Sequence, residues 1–209
     1  WRYLFPALII TATIFLIWDY FFTLNGVWGF NPTYTTGINI AGLPIEEILF
    51  FITVPYASIF IYAVVNHLWP NTPLLDKLQR KISFVILFIA IALMLFNYDK
   101  AYTALNCGYA IVLLSLQLFV IKGNYMGRFY RFYFWHLIPF FIVNGLLTGT
   151  GIQDEVVWYN NAENLGIRMG TIPVEDSLYS LSLMLMNITI IEWLRGKRNS
   201  KKHLSPEPI

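Results

Sequence analysis

Apolar positions gather into six long runs, at about 3–23, 46–66, 82–98, 103–121, 132–148 and 173–194, with charge, Asn and Gly concentrated between them. Each run is near the roughly 17–25 residues with which a helix crosses a bilayer. The third and fifth are at the short limit. The pattern predicts an all-α fold, a polytopic transmembrane helix bundle.

Composition agrees with this. The chain is 57% hydrophobic, 18% aromatic and only 12% charged, against about 25% charged in a soluble domain. The first run has neither a basic leader nor a small-residue cleavage site, so it does not read as a signal peptide. The single cysteine, Cys107, excludes an intrachain disulfide and a cysteine-based metal site. His67, His136 and His203 have no ligand spacing, so no metal is expected.

Charge then sets an orientation. One side takes Arg2, the 67–81 loop (Lys77, Arg80, Lys81), the 122–131 loop (Lys122, Arg128, Arg131) and the tail (Arg195, Lys197, Arg198, Lys201, Lys202). These are twelve of the fourteen basic residues, leaving Lys100 and Arg168 opposite. Such a bias reads as cytoplasmic on the basic side, including the C-terminal tail. The tail is an anchor to anionic headgroups and not a nucleic-acid arm. Two long loops, 24–43 and 149–172, lie on the other face and are rich in Trp, Tyr, Phe, Asn and Gly.

Sliding the chain on itself by 129 positions without gaps pairs Pro44-Ile45-Glu46-Glu47 with Pro173-Val174-Glu175-Asp176. The same frame pairs Arg2 with Arg131, Phe5 with Phe134, Leu8 with Leu137, Asn31 with Asn160, Gly37-Ile38 with Gly166-Ile167, and Ile59 with Ile188. So many matches in one frame read as an internal duplication. The run at 103–121 has no counterpart before Trp1, so a natural precursor is expected to carry one more helix. The expected organisation is a first repeat over 1–66 lacking its first helix, and a linker with a transmembrane helix over 67–101. A second repeat follows over 102–195, then a basic tail over 196–209. The linker helix lets both repeats share one orientation.

The two acidic motifs carry the candidate chemistry. Proline followed by acids is also simply a favourable helix start, since the acids complement the dipole there. Two copies, each with an aromatic one turn on (Glu46/Phe50 and Glu175/Tyr179), favour a functional role. Carboxyls in transmembrane segments are costly and usually face a bundle interior. Asp19, in Trp18-Asp19, is a further buried carboxyl, read either as catalytic or as bonded to a loop amide. At the repeat offset it becomes Thr148, and Trp18 becomes Leu147, which favours one composite site over two equal ones. Asn31 and Asn160 are either turn residues or substrate contacts. Trp28, Phe30, Tyr34, Phe50, Phe51, Trp158, Tyr159 and Tyr179 crowd the same face, and a subset around a buried acid suits a carbocation. An acid with aromatic walls, and no nucleotide loop, describes proton-initiated cyclisation of a polyene.

Trp18-Asp19, Gly26-Val27-Trp28-Gly29-Phe30-Asn31, Leu43-Pro44-Ile45-Glu46-Glu47, Phe50-Phe51 and Pro55-Tyr56 resemble the lycopene cyclase domain family. These are integral-membrane, non-flavin carotenoid cyclases, occurring as paired small subunits in actinobacteria, fused in archaea, and joined to phytoene synthase in fungi. The resemblance covers nearly all of 1–195 and is to the fused form. It implies a lycopene beta-cyclase, an isomerase of the intramolecular-lyase type that turns the linear ends of lycopene into β-ionone rings, giving γ- and β-carotene. It implies catalytic roles for Glu46, Glu47, Glu175, Asp176 and Asp19, with Glu46 or Glu175 as the first proton donor. It implies substrate contacts from Trp18, Trp28, Phe30, Asn31, Tyr34, Phe50, Phe51, Tyr159, Asn160 and Tyr179. No cofactor is implied, because the reaction is redox-neutral. The partners implied are lycopene dissolved in a bacterial or archaeal cytoplasmic membrane, the lipid bilayer and other carotenoid-pathway enzymes, with no nucleic acid.

Two other readings stay open: a transporter with parallel repeats of three helices around a linker helix, and a related cyclase or hydratase acting on another end group. A carrier needs polar groups at the membrane midplane, whereas these acids lie near one surface. A retinal-binding receptor needs a Lys in the last helix, and 173–194 has none.

Overall fold

The computed structural model describes residues 1–71 and 73–204, with 198–204 as backbone only. Its bulk is six helices: α1 (Leu4–Leu24), α2 (Ile45–Leu68), α3 (Pro73–Phe96), α4 (Ala101–Ser115), α5 (Met126–Leu147) and α6 (Glu175–Leu204). α4 continues in wider π-helical turns over Leu116–Ile121. The fold is an all-α polytopic bundle. α1, α2, α3, α4 with its continuation, and α6 are long and apolar enough to cross a membrane. α5 is as long, but it carries Arg128, Arg131, His136 and Asn144 and does not reach that apolarity.

Three helix limits differ from the hydropathy reading. α3 starts at Pro73, so Lys77, Arg80 and Lys81 sit on its first turns and not in a 67–81 loop. α5 starts at Met126, which puts Arg128 and Arg131 on a helix as well. α6 runs on to Leu204, so the described part of the basic tail is helical, and 205–209 fall outside the described residues. The reason is common to all three. Apolarity ends where the hydrocarbon ends, but helical hydrogen bonding does not, and long basic side chains can cover a helix's last apolar turns while keeping their charges in water.

The centre of the bundle is α6, which packs on α1, α2, α4 and α5. Half of its apolar window is buried (50%), against 17% for α3, which touches mainly α4 and α5. Leu185 and Ile188 on α6 are fully enclosed, together with Phe15 of α1 and Phe132 of α5. The large apolar side chains left outside, such as Phe88 and Phe96 of α3, are in their proper solvent when that solvent is lipid.

Six short strands decorate one end: β1 (Trp28–Phe30), β2 (Asn39–Ile40), β3 (Leu43–Pro44), β4 (Val157–Tyr159), β5 (Arg168–Met169) and β6 (Ile172–Pro173). Adding 129 to the limits of β1, β2 and β3 gives the limits of β4, β5 and β6. β2 pairs with β3 and β5 with β6, each as a small hairpin. Gly37 and Gly166, equivalent at the same offset, open these hairpins at φ of 80° and 70°, a left-handed conformation that glycine adopts without steric cost.

β1 pairs antiparallel with its own equivalent, β4, with Gly29 opposite Trp158 at the centre. The flanking bonds repeat the symmetry. Asn31 N donates to Val156 O at 2.8 Å, and Asn160 N to Val27 O at 2.9 Å. A local twofold axis therefore passes through the ribbon. Gly29 is needed there, because the Trp158 ring lies where a Cβ would be.

Candidate active site

Each acidic motif sits where a hairpin turns into a helix. Pro44 and Pro173 close β3 and β6, and the two acids that follow occupy the first turns of α2 and α6. Here consecutive carboxyls point about 100° apart, and they do different things.

The first acid of each motif is tied to its own hairpin. Glu46 Oε1 accepts from Thr36 N at 2.8 Å, and Glu175 Oε1 accepts from Leu165 N at 2.7 Å, the same bond moved by the repeat offset. Glu175 is held further by α4, accepting from Thr103 Oγ1 at 2.7 Å, while its backbone carbonyl accepts from Asn106 Nδ2 at 2.7 Å. Neither Glu46 nor Glu175 lines the large cavity.

The second acid of each motif does. Glu47 and Asp176 both line a cavity of about 360 Å³ walled by α2, α5 and α6 and roofed by the β1–β4 ribbon. Apart from a few polar groups the walls are apolar, with Phe50 and Ile61 from α2, Phe140 and Val143 from α5, and Leu183 and Met184 from α6 among them. Such a chamber, mostly hydrocarbon with a few placed polar groups, suits a small apolar ligand or one end of a long one.

The surroundings of these two carboxyls differ. Asp176 is 3% exposed and accepts three hydrogen bonds from three separate elements. Tyr102 of α4 donates to Oδ1 at 2.5 Å, and Oδ2 takes Asn144 Nδ2 of α5 at 2.7 Å and the Tyr159 hydroxyl of β4 at 3.0 Å. Burial first, and then the charge on Asp176, push the Tyr159 phenol well above its ordinary range, so it remains a donor. Glu47 has for its electrostatic neighbour another carboxyl, Asp19. Asp19 is fully buried and takes Trp28 Nε1 at 2.6 Å on Oδ1.

Aromatic rings complete the roof. Trp28 meets Tyr102 edge-on at 5.3 Å and 88°, and Tyr159 at 6.1 Å and 74°. Tyr102 and Tyr159 stack at 5.8 Å. Tyr179 packs edge-on against Trp18 at 5.0 Å. Ring faces in a water-poor space attract positive charge.

Of the residues singled out from sequence, Glu47, Asp176, Trp28, Phe30, Phe50, Tyr159 and Tyr179 line the cavity. Asp19 and Trp18 lie behind that wall, Asp19 bonded to Trp28 and Trp18 packed on Tyr179. Phe51 is 1% exposed and packs on Phe15 in the core. Tyr34 is 41% exposed. Asn31 accepts from Thr33 N and Asn160 from Ala162 N, each shaping its own turn. The polar cavity residues not anticipated from sequence are Thr53, Ser58, Tyr102, His136, Asn144 and Ser180, with His136 and Ser180 bonded to each other at 2.8 Å. A signal for Asn144 existed: it falls on Phe15 at the repeat offset, as Tyr159 falls on Phe30, so each polar group is one the other half does not have. Among the described residues no group of three or more His, Cys, Asp or Glu gathers as a metal ion would require.

A family model described as lycopene cyclase matches residues 1–65 and 99–194 of this chain. Lycopene beta-cyclases of two strains of Halobacterium salinarum are each 39% identical to it over 79 residues, covering 33% of this chain and 33% of the relative. The matched part thus spans about a third of the length of those curated relatives. No solved structure matches.

Proposed function

We propose an activity from a plain premise: the chain belongs to the lycopene cyclase family, its model covering most of the sequence. The reading is a membrane-embedded lycopene beta-cyclase. One observation carries it, that two acidic motifs 129 positions apart turn their second carboxyls, Glu47 and Asp176, onto one apolar, aromatic-roofed cavity.

The chemistry follows from the difference between the two carboxyls. Glu47, beside a second acid, is the proton donor, and Asp176, held by three donors, is the proton acceptor. These neighbours replace Glu46 and Glu175, the donors favoured from sequence, which hold the hairpins. Glu47 protonates the terminal trisubstituted double bond of the polyene, leaving a tertiary cation. The neighbouring internal double bond attacks it, closing a six-membered ring and moving the cation onto the ring. Asp176 takes the proton from the ring carbon that bears the chain, and the β double bond forms. The proton gained equals the proton lost, and its return from Asp176 to Glu47 across the cavity resets the site. Trp28, Tyr179 and the other rings shield the cations from water, which would capture them as an alcohol.

In the same reading, 1–66 and 102–195 are the two repeats and 67–101 their linker. The basic end is cytoplasmic and the cavity lies toward the opposite leaflet.

The test is pigment analysis of lycopene-accumulating bacteria that express the gene. The parent gives γ- and β-carotene. Glu47→Gln and Asp176→Asn each lower the yield by about a hundredfold or more, the usual contribution of a placed acid or base. Unchanged lycopene with the parent folded in the membrane would overturn the reading.

A further inference from the structure

Three donors converge on Asp176, and the offset that makes the backbone of the two halves coincide finds none of them in the described part of the first half. Asn144 is matched by Phe15 and Tyr159 by Phe30. Tyr102 lies on α4, which has no equivalent among the described residues. The three come from α4, α5 and β4, so they fix the carboxylate in three directions at once, and all three also line the cavity. Such donors offset the burial of a charge. Three from separate elements fix the direction of its lone pairs.

Direction matters for this reaction. Once the ring closes, the cation can lose a proton from three neighbouring carbons. Loss from the chain-bearing ring carbon gives the β ring, from the ring methylene gives the ε ring, and from the attached methyl gives an exocyclic double bond. Each path returns one proton and forms one double bond, so all three balance equally. Their protons lie within a few ångströms of one another, and the cation is too reactive to discriminate on its own. The position of the base decides.

We propose that Tyr102, Asn144 and Tyr159 are positioning residues that select the ring type by aiming Asp176 at one proton. The proposal rests on the cyclase reading above and goes beyond it, since that reading needs only that Asp176 accept a proton. Asn144 and Tyr159 both bond Oδ2, and Tyr102 alone bonds Oδ1. Releasing Oδ2 frees the carboxylate to rotate about the bond to Tyr102. Releasing Oδ1 leaves Oδ2 pinned by two donors.

The experiment uses the full chain in lycopene-accumulating cells, with the parent, Asn144→Leu, Tyr159→Phe, the double variant, and Tyr102→Phe. Products are separated by chromatography and ring types assigned by absorption and NMR. Protein level and folding are followed by size exclusion of a fluorescent fusion. The expected result is a rise in ε-ring and exocyclic products relative to β of about tenfold for each Oδ2 donor lost, as follows from the strength of a hydrogen bond to a charged group. The double variant exceeds either single one, and Tyr102→Phe shifts the ratio least. Total turnover falls in all, but only a positioning role moves the ratio. If the parent makes β rings and the folded variants make fewer rings of the same β type, the proposal is overturned while the cyclase reading stands. If the parent makes no rings, the cyclase reading itself fails. Should Asn144→Leu not fold, Tyr159→Phe, which removes one hydroxyl and keeps the ring, decides the question alone.

Discussion

The two ends of the repeat share a backbone but not a chemistry. In both, a proline-led turn starts a helix and the first acid holds a loop amide ten residues back. In both, the second acid faces the same cavity. The difference is in what surrounds that second acid: three donors at Asp176, a fellow carboxyl at Glu47. Backbone geometry was retained by both halves because the hairpins and the ribbon need it. On the reading proposed above, the side chains differ because a proton-in, proton-out reaction needs two unlike carboxyls.

The comparison breaks most severely at the second acids themselves. Glu47→Gln and Asp176→Asn are expected to lower cyclisation by about a hundredfold or more in folded protein. Glu46→Gln, assayed the same way, should retain most activity, since Glu46 lies off the cavity. If Glu46→Gln proved as damaging as Glu47→Gln, the division between hairpin acid and cavity acid would collapse.

A sharper challenge is to make the halves alike. Phe30→Tyr places a phenol at the site equivalent to Tyr159 and offers Glu47 a donor of the kind Asp176 has. Protonation should slow by about tenfold, in line with one hydrogen bond to a charged group, with β product unchanged. A faster enzyme would reverse the assignment of acid and base.

The first acids should differ in stability. Glu175→Gln disturbs a buried carboxyl that accepts from both Leu165 N and Thr103 Oγ1, and is expected to cost about 1–3 kcal/mol. Glu46→Gln touches one bond at a more exposed place and should lower the melting temperature less. Gly29→Ala is the smallest change chemically. Its Cβ meets the Trp158 ring, so the ribbon must shift, and thermal unfolding in detergent should show a drop that Trp158→Ala relieves.

Much of this organisation is legible in the sequence. Six apolar runs gave six helices, and the offset of 129 read from sequence recurs in the limits of short strands that the sequence reading did not foresee. Helix ends were less legible, as Lys77 and Arg128 illustrate, because charge marks the edge of the hydrocarbon and not the end of a helix. Within the site, a motif identifies two adjacent acids but does not say which one faces inward. That depends on the angle at which Pro44 and Pro173 deliver the chain into α2 and α6. Tyr102 was hidden for another reason: at the repeat offset its partner position falls before Trp1, so the given sequence offers nothing to compare it with.

Placing both carboxyls on one chamber has a kinetic consequence for a substrate with two identical ends. On the cyclase reading proposed above, a chain so built works distributively. The half-finished molecule must withdraw, reverse in the bilayer and re-enter as a competitor of fresh substrate. Monocyclic pigment should therefore accumulate early and disappear late, and the ratio of one-ringed to two-ringed product should follow the supply of polyene to the membrane.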